Sequence, residues 1–220
     1  MRAQPLCSLA FLLLASSAAA IEPADCHNGS FLQTENLSLA RVTGKKGDKA
    51  FFYSTETGAP GAASSPTAAY VLPGDEVLVN QTAEGWVCAW YSGKKTETVG
   101  WLKAGQVDIL PAPAAPALRD WAGTWRFYGD SGFLKIAAAK DEKLEVSGRA
   151  LWHGGLSGQV EHSGRMRGTA APSGNHLVVP EEPKEDACIV RLTLLDRYLA
   201  AVDNQRCGGM NVTFTGVYTK

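Results

Sequence analysis

Apolar residues along this chain come in short runs broken by Gly, Pro, Asn and Asp, and the longer runs have a period of two. Cys188, Val190, Leu192 and Leu194 alternate with Ile189, Arg191 and Thr193. Val212, Phe214, Gly216 and Tyr218 alternate with Thr213, Thr215 and Thr219. A two-residue period puts one set on a buried face and the other in water, as in an antiparallel sheet. Further strands are predicted at 133–138, 144–152, 159–168, 176–179 and 198–202. In the first half they are predicted at 39–42, 50–53, 70–72, 76–79, 85–91 and 99–102, with Pro73-Gly74-Asp75 as a turn between two of them. In Trp86 to Tyr91, the compact set Val87 and Ala89 suits the inside of a small barrel. Trp86, Cys88 and Trp90 then face outward. The expectation is an all-β chain: a small N-terminal barrel, then a C-terminal antiparallel barrel or meander.

The punctuation divides the chain. Residues 1–20 combine Arg2, an apolar run from Leu9 to Leu14 and Ala18-Ala19-Ala20, the arrangement of a secretory signal peptide. Pro111-Ala-Pro-Ala-Ala-Pro116-Ala is a semi-rigid spacer, so 111–118 is expected to be a linker between domains at 21–110 and 119–220. Gly58 to Pro66 holds turn residues and no large side chain, and is expected to be an exposed loop. An exported chain is oxidised, and four cysteines follow the leader. The division favours Cys26–Cys88 and Cys188–Cys207, one bridge in each half. The first would staple the N-terminal arm, 21–38, across the outward face of Trp86 to Tyr91, over one or both of its tryptophans. The expected location is periplasmic or secreted.

Phe51-Phe-Tyr53-Ser, Tyr70-Val-Leu-Pro-Gly-Asp75, Gly85-Trp-Val-Cys-Ala-Trp-Tyr91 and Thr98-Val-Gly-Trp-Leu-Lys103 follow one another in the order of a bacterial SH3 domain, which residues 40–110 resemble. Gly123-Thr-Trp125 resembles the first strand of lipocalin- and avidin-like barrels. The ending, Cys207-Gly-Gly-Met-Asn-Val-Thr-Phe-Thr-Gly-Val-Tyr218 after a Cys188 strand, resembles a module of exported Gram-negative proteins, some labelled lysozyme-inhibitor-like. The first resemblance implies an envelope-binding domain whose partner is peptidoglycan or an envelope protein. The last implies, as the alternative, an inhibitor of a lysozyme-like muramidase.

Net charge is -1, which gives no electrostatic footprint for nucleic acid, and no segment after the leader is apolar for long enough to span a membrane. A Ser–His–Asp set drawn from Ser163, His153 or His162, and Asp120 or Asp130 has no motif behind it. No metal spacing or cofactor motif accompanies the histidines. The expectation is a protein that is not an enzyme and carries no cofactor or metal. Its candidate contacts are aromatic: Trp86 and Trp90, with Tyr53 and Tyr70 from the same motifs. Trp101 is expected to be core. In the C-terminal half, His153 in Trp152-His-Gly-Gly155 and Met210 after Cys207-Gly-Gly209 are the candidates, on loops at one end of the barrel.

Overall fold

The computed structural model describes residues 25–33, 36–55, 58–61, 63–93, 96–111, 115–127, 131–155 and 158–220. The expected signal peptide, residues 1–20, lies outside the described residues, as do 112–114 of the linker.

The described residues form two antiparallel sheets. The first contains β1 (Ser38–Val42), β2 (Ala50–Tyr53), β3 (Pro66–Val71), β4 (Glu76–Ala83), β5 (Trp86–Ser92), β6 (Glu97–Lys103) and β7 (Val107–Ile109), in the order β3-β2-β6-β5-β4-β1-β7. Its inner face carries Ala40, Val42, Phe52, Val77, Val79, Val87, Ala89 and Leu102. The small alternating residues of β5 are therefore inside, and Cys88 and Trp90 are outside, as the period-two pattern requires.

The second sheet contains β8 (Gly123–Phe127), β9 (Gly132–Ala138), β10 (Leu144–Gly154), β11 (Val160–Ala170), β12 (His176–Val179), β13 (Val190–Leu195), β14 (Tyr198–Asp203) and β15 (Gly216–Thr219). Each strand pairs with its chain neighbour, except that β11 and β12 barely meet, and β15 returns to β8. The ring is a nearly closed eight-stranded barrel. The β11–β12 seam is bridged where the Glu181 amide donates to the Thr169 carbonyl, 3.3 Å away. Trp121, Trp125, Leu134, Ile136, Val146, Leu192, Phe214 and Tyr218 fill the interior, which is a packed core.

Both expected disulfides are present, Cys26–Cys88 and Cys188–Cys207. The N-terminal arm lies where the first one puts it. A single 3-10 turn, Phe31–Gln33, buries Phe31 and Leu32 beside Cys88, Trp90 and Trp101.

Several local expectations are corrected. The alternating stretch 212–219 was expected to run as one strand after a turn at Cys207-Gly208-Gly209, but only Gly216–Thr219 pairs as one. The remainder crosses the barrel end as a plug, although Val212 and Phe214 point into the core as their alternation demands. The Gly58–Pro66 loop is not wholly exposed: Pro60 is buried and the Gly58 amide faces the Asp25 carboxylate at 3.4 Å. Leu118, placed at the end of the linker, begins the short helix α1 (Leu118–Trp121) and packs on the barrel core.

A further buried cluster joins the sheets. Leu78, Trp90 and Trp101 of the first sheet, with Phe31 of the arm, pack on Leu195, Tyr198, Ala200 and Val217 from the outside of the barrel. The linker therefore connects two bodies that share a core.

Candidate functional sites

The outward residues of the first sheet separate into a covered part and an open part. Trp90 is covered: it is only 3% exposed, its ring meets Tyr198 edge-on at 5.6 Å, and its Nε1 donates to Glu97 at 2.9 Å. Its place is the junction between the sheets, because the alternation that turns it out of the small barrel turns it toward the large one. It is therefore not an open contact residue. Trp101 is fully buried, as expected of a core residue, but in the layer beneath the arm; Leu102 beside it fills the barrel.

The open part is aromatic. Tyr53 and Trp86 are half-buried and meet edge-on at 4.7 Å, with the Lys103 ammonium 6.0 Å from the Tyr53 ring. Lys103 lies there because it is the register partner of Trp86. Two residues earlier on β2 and on the same face, Phe51 meets Tyr70 edge-on at 5.7 Å. Tyr70 is 42% exposed, and Lys49 sits over its ring at 4.0 Å. Three of the four aromatic candidates thus belong to one strip flanked by two lysines. Phe51 was overlooked; its place in the alternation with Tyr53 is the signal that would have found it.

At the barrel end, β10 and β11 continue past β9 as an overhanging hairpin. Trp152 and His162 are register partners on its inward side and stack at 5.3 Å. The His162 Nδ1 lies 2.7 Å from the Met210 carbonyl, and Met210 is 75% exposed on the plug. His153, one residue on from Trp152, faces the other way. It lies 3.9 Å from Glu161, which also meets Arg149. Met210 and His153 therefore belong to opposite sides of the hairpin, and His162 is the neighbour that Met210 has.

The plug is held from beneath. Asp203 is buried, and its carboxylate accepts from the Phe214 amide at 2.6 Å, the Gln205 amide at 3.0 Å and the Thr213 hydroxyl at 3.1 Å. Where the plug passes β11, Gly164 and Gly208 form a bridge. A Cβ on Gly164 would lie 2.2 Å from the Cys207 carbonyl oxygen, so only glycine admits this approach.

Tyrosines at the sheet junction are hard to ionise. Burial, above all, raises Tyr198, while Arg197 opposes it; Tyr91 is raised by burial and by Asp75. These groups are neutral structural hydroxyls. Among the described residues no cluster of metal-ligating side chains occurs and no helix is long and apolar enough to cross a membrane. No family model, curated protein or solved structure matches this chain.

Proposed function

We propose that this chain is an exported, non-enzymatic binding protein of the cell envelope, whose SH3-like barrel docks on peptidoglycan or an envelope protein. The observation that carries this reading is the strip Tyr70–Phe51–Tyr53–Trp86 with Lys49 and Lys103 at its sides. Aromatic faces stack on sugar rings and peptide planes, and ammonium groups pair with stem-peptide carboxylates. Two disulfides fit an oxidising compartment. The test is co-sedimentation with purified peptidoglycan. The parent protein should pellet, and Tyr53→Ala with Trp86→Ala should abolish pelleting. Met210→Ala, on the plug of the other barrel, should leave it intact. A parent protein that stays in the supernatant would overturn the peptidoglycan form of the reading.

The alternative, inhibition of a lysozyme-like muramidase, is favoured by one feature: an exposed Met210 on a plug anchored by Cys188–Cys207. It requires that stoichiometric protein abolish muramidase turnover and that Met210→Ala restore it.

A further inference from the structure

The outer wall of the large barrel carries a charge distribution that neither reading uses. The register aligns Arg126 with Phe133, Phe133 with Arg149, and Arg149 with Arg165, so these four form one row across β8 to β11. All four are exposed, Phe133 to 39%. In the next row, Lys135 and Arg167 flank Ser147. Two carboxylates share this wall. Glu145 is taken by Arg167, with the Arg167 Nε at 2.9 Å, and Glu161 by Arg149 and His153. Arg126, Lys135 and Arg165 form no ion pair among the described residues. A chain of net charge -1 thus gathers a surplus of positive charge on one wall.

The placement works against stability. Arginines directly opposite each other in an antiparallel pair repel, and Arg149 and Arg165 are so placed. Phe133 between two arginines is a large apolar group left in water.

We infer that this wall binds an anionic glycan, with the arginines on its carboxylates and Phe133 against a sugar ring. Guanidinium forks match planar oxyanions in pairs of hydrogen bonds, which favours arginine over lysine. Neighbouring strands are about 4.8 Å apart, so Arg149 and Arg165 are separated by about one hexose unit, and Arg126 and Arg149 by about two with Phe133 between them. A single aromatic ring on a convex wall offers little apolar area for insertion into a bilayer. The peptidoglycan reading depends on Tyr53 and Trp86, whereas this one depends on Arg126 and Arg165, so the two fail separately.

The experiment measures binding of the full chain to polygalacturonate, with neutral dextran, phosphatidylglycerol vesicles and single-stranded DNA as further probes. Polygalacturonate should bind, weaken as salt rises, and lose at least about tenfold in affinity in Arg126→Ala/Arg165→Ala. Phe133→Ala should weaken it as well. Melting of the arginine variant should be unchanged or higher, since a repulsion has been removed. Equal binding of dextran, or an unchanged affinity in the arginine variant, would overturn the inference. So would tighter binding of vesicles or DNA through the same arginines, which would make the wall a membrane or nucleic-acid surface.

Discussion

Asp203 shows how much one buried side chain organises. Its carboxylate gathers the plug's donors, among them the Thr213 hydroxyl, which itself accepts from the Thr215 amide at 2.9 Å. Alternation correctly puts Thr213 on the outside, but a pattern of faces says nothing about where a hydroxyl bonds. Thr213→Ala should therefore cost about 1.5–3 kcal/mol, the usual net value of a hydrogen bond to a carboxylate, read as a shift in urea midpoint. Asn211 sits at φ 66°, a left-handed conformation that Asn tolerates and Ala resists, so Asn211→Gly should be milder than Asn211→Ala. Phe214→Ala, in the core, should cost about 3–5 kcal/mol. Tyr218 gives the residue scale its pH dependence. Its hydroxyl donates to the Phe214 carbonyl at 2.9 Å, and burial raises its pKa far above the ordinary tyrosine value. Above about pH 10 the unfolded chain loses that proton while the folded chain keeps it, so stability falls as pH rises. Urea titrations from pH 8 to 11 should show this decline, and Tyr218→Phe should flatten it. An equally steep decline in Tyr218→Phe would assign it to other tyrosines, such as Tyr198.

At the scale of elements, the period of two located the strands well where they lie between one wet and one buried face, as β9 and β12 do. The predicted 50–53 and 176–179 are the observed β2 and β12. Val107–Ile109 was overlooked, since three residues show no period. The 207–215 plug kept the inward facing of Val212 and Phe214 but not the pairing. Backbone that bonds to a carboxylate such as Asp203 has the same sequence alternation as backbone that bonds to a strand. The candidate site was legible in part for the same reason: alternation tells which residues leave a barrel, and not what then covers them. It turned Trp86 and Trp90 outward alike, while Tyr53 came from its motif; the second barrel that buries Trp90 and leaves Trp86 at the open edge comes from sequence more than a hundred residues away. The two disulfides were legible because the hinge divides the cysteines into pairs. Cys26–Cys88 spans 62 residues and Cys188–Cys207 spans 19, worth about 4 and about 3 kcal/mol in the chain-entropy account. Cys26→Ser/Cys88→Ser should lower stability by about that larger amount. It should also release the arm, exposing Trp101 to acrylamide quenching. Unchanged quenching would mean that Phe31 and Leu32 hold the arm unaided.

At the scale of the whole molecule, the Pro/Ala hinge suggests two bodies that would part once cut, since few contacts cross an extended linker. The packing argues the opposite. Trp90, Trp101 and Leu78 on one side and Tyr198, Leu195 and Val217 on the other are buried together. Glu76 is placed between Arg41, 3.1 Å away on its own sheet, and Arg197, 3.2 Å away on the other. Large aromatics removed from water dominate such an interface, and exposing them again is costly. Neither disulfide crosses the junction, so noncovalent packing of this kind would hold the halves after the linker is cut. A protease site placed between Leu110 and Leu118 should accordingly give a nicked protein that elutes at the size of the intact chain and unfolds in a single transition. Trp90→Ala should remove about 3–5 kcal/mol and let the nicked halves separate, because it deletes the ring that Tyr198 packs against. Two fragments that separate without that substitution, each keeping its own cooperative melt, would show that the shared core does not hold the barrels together. The aromatic strip and the arginine wall would then act as independent modules on a flexible tether. If the nicked halves stay together, the strip on the first sheet and the wall on the second are held in a fixed relation, and a polymer long enough to reach both would be bound by both at once.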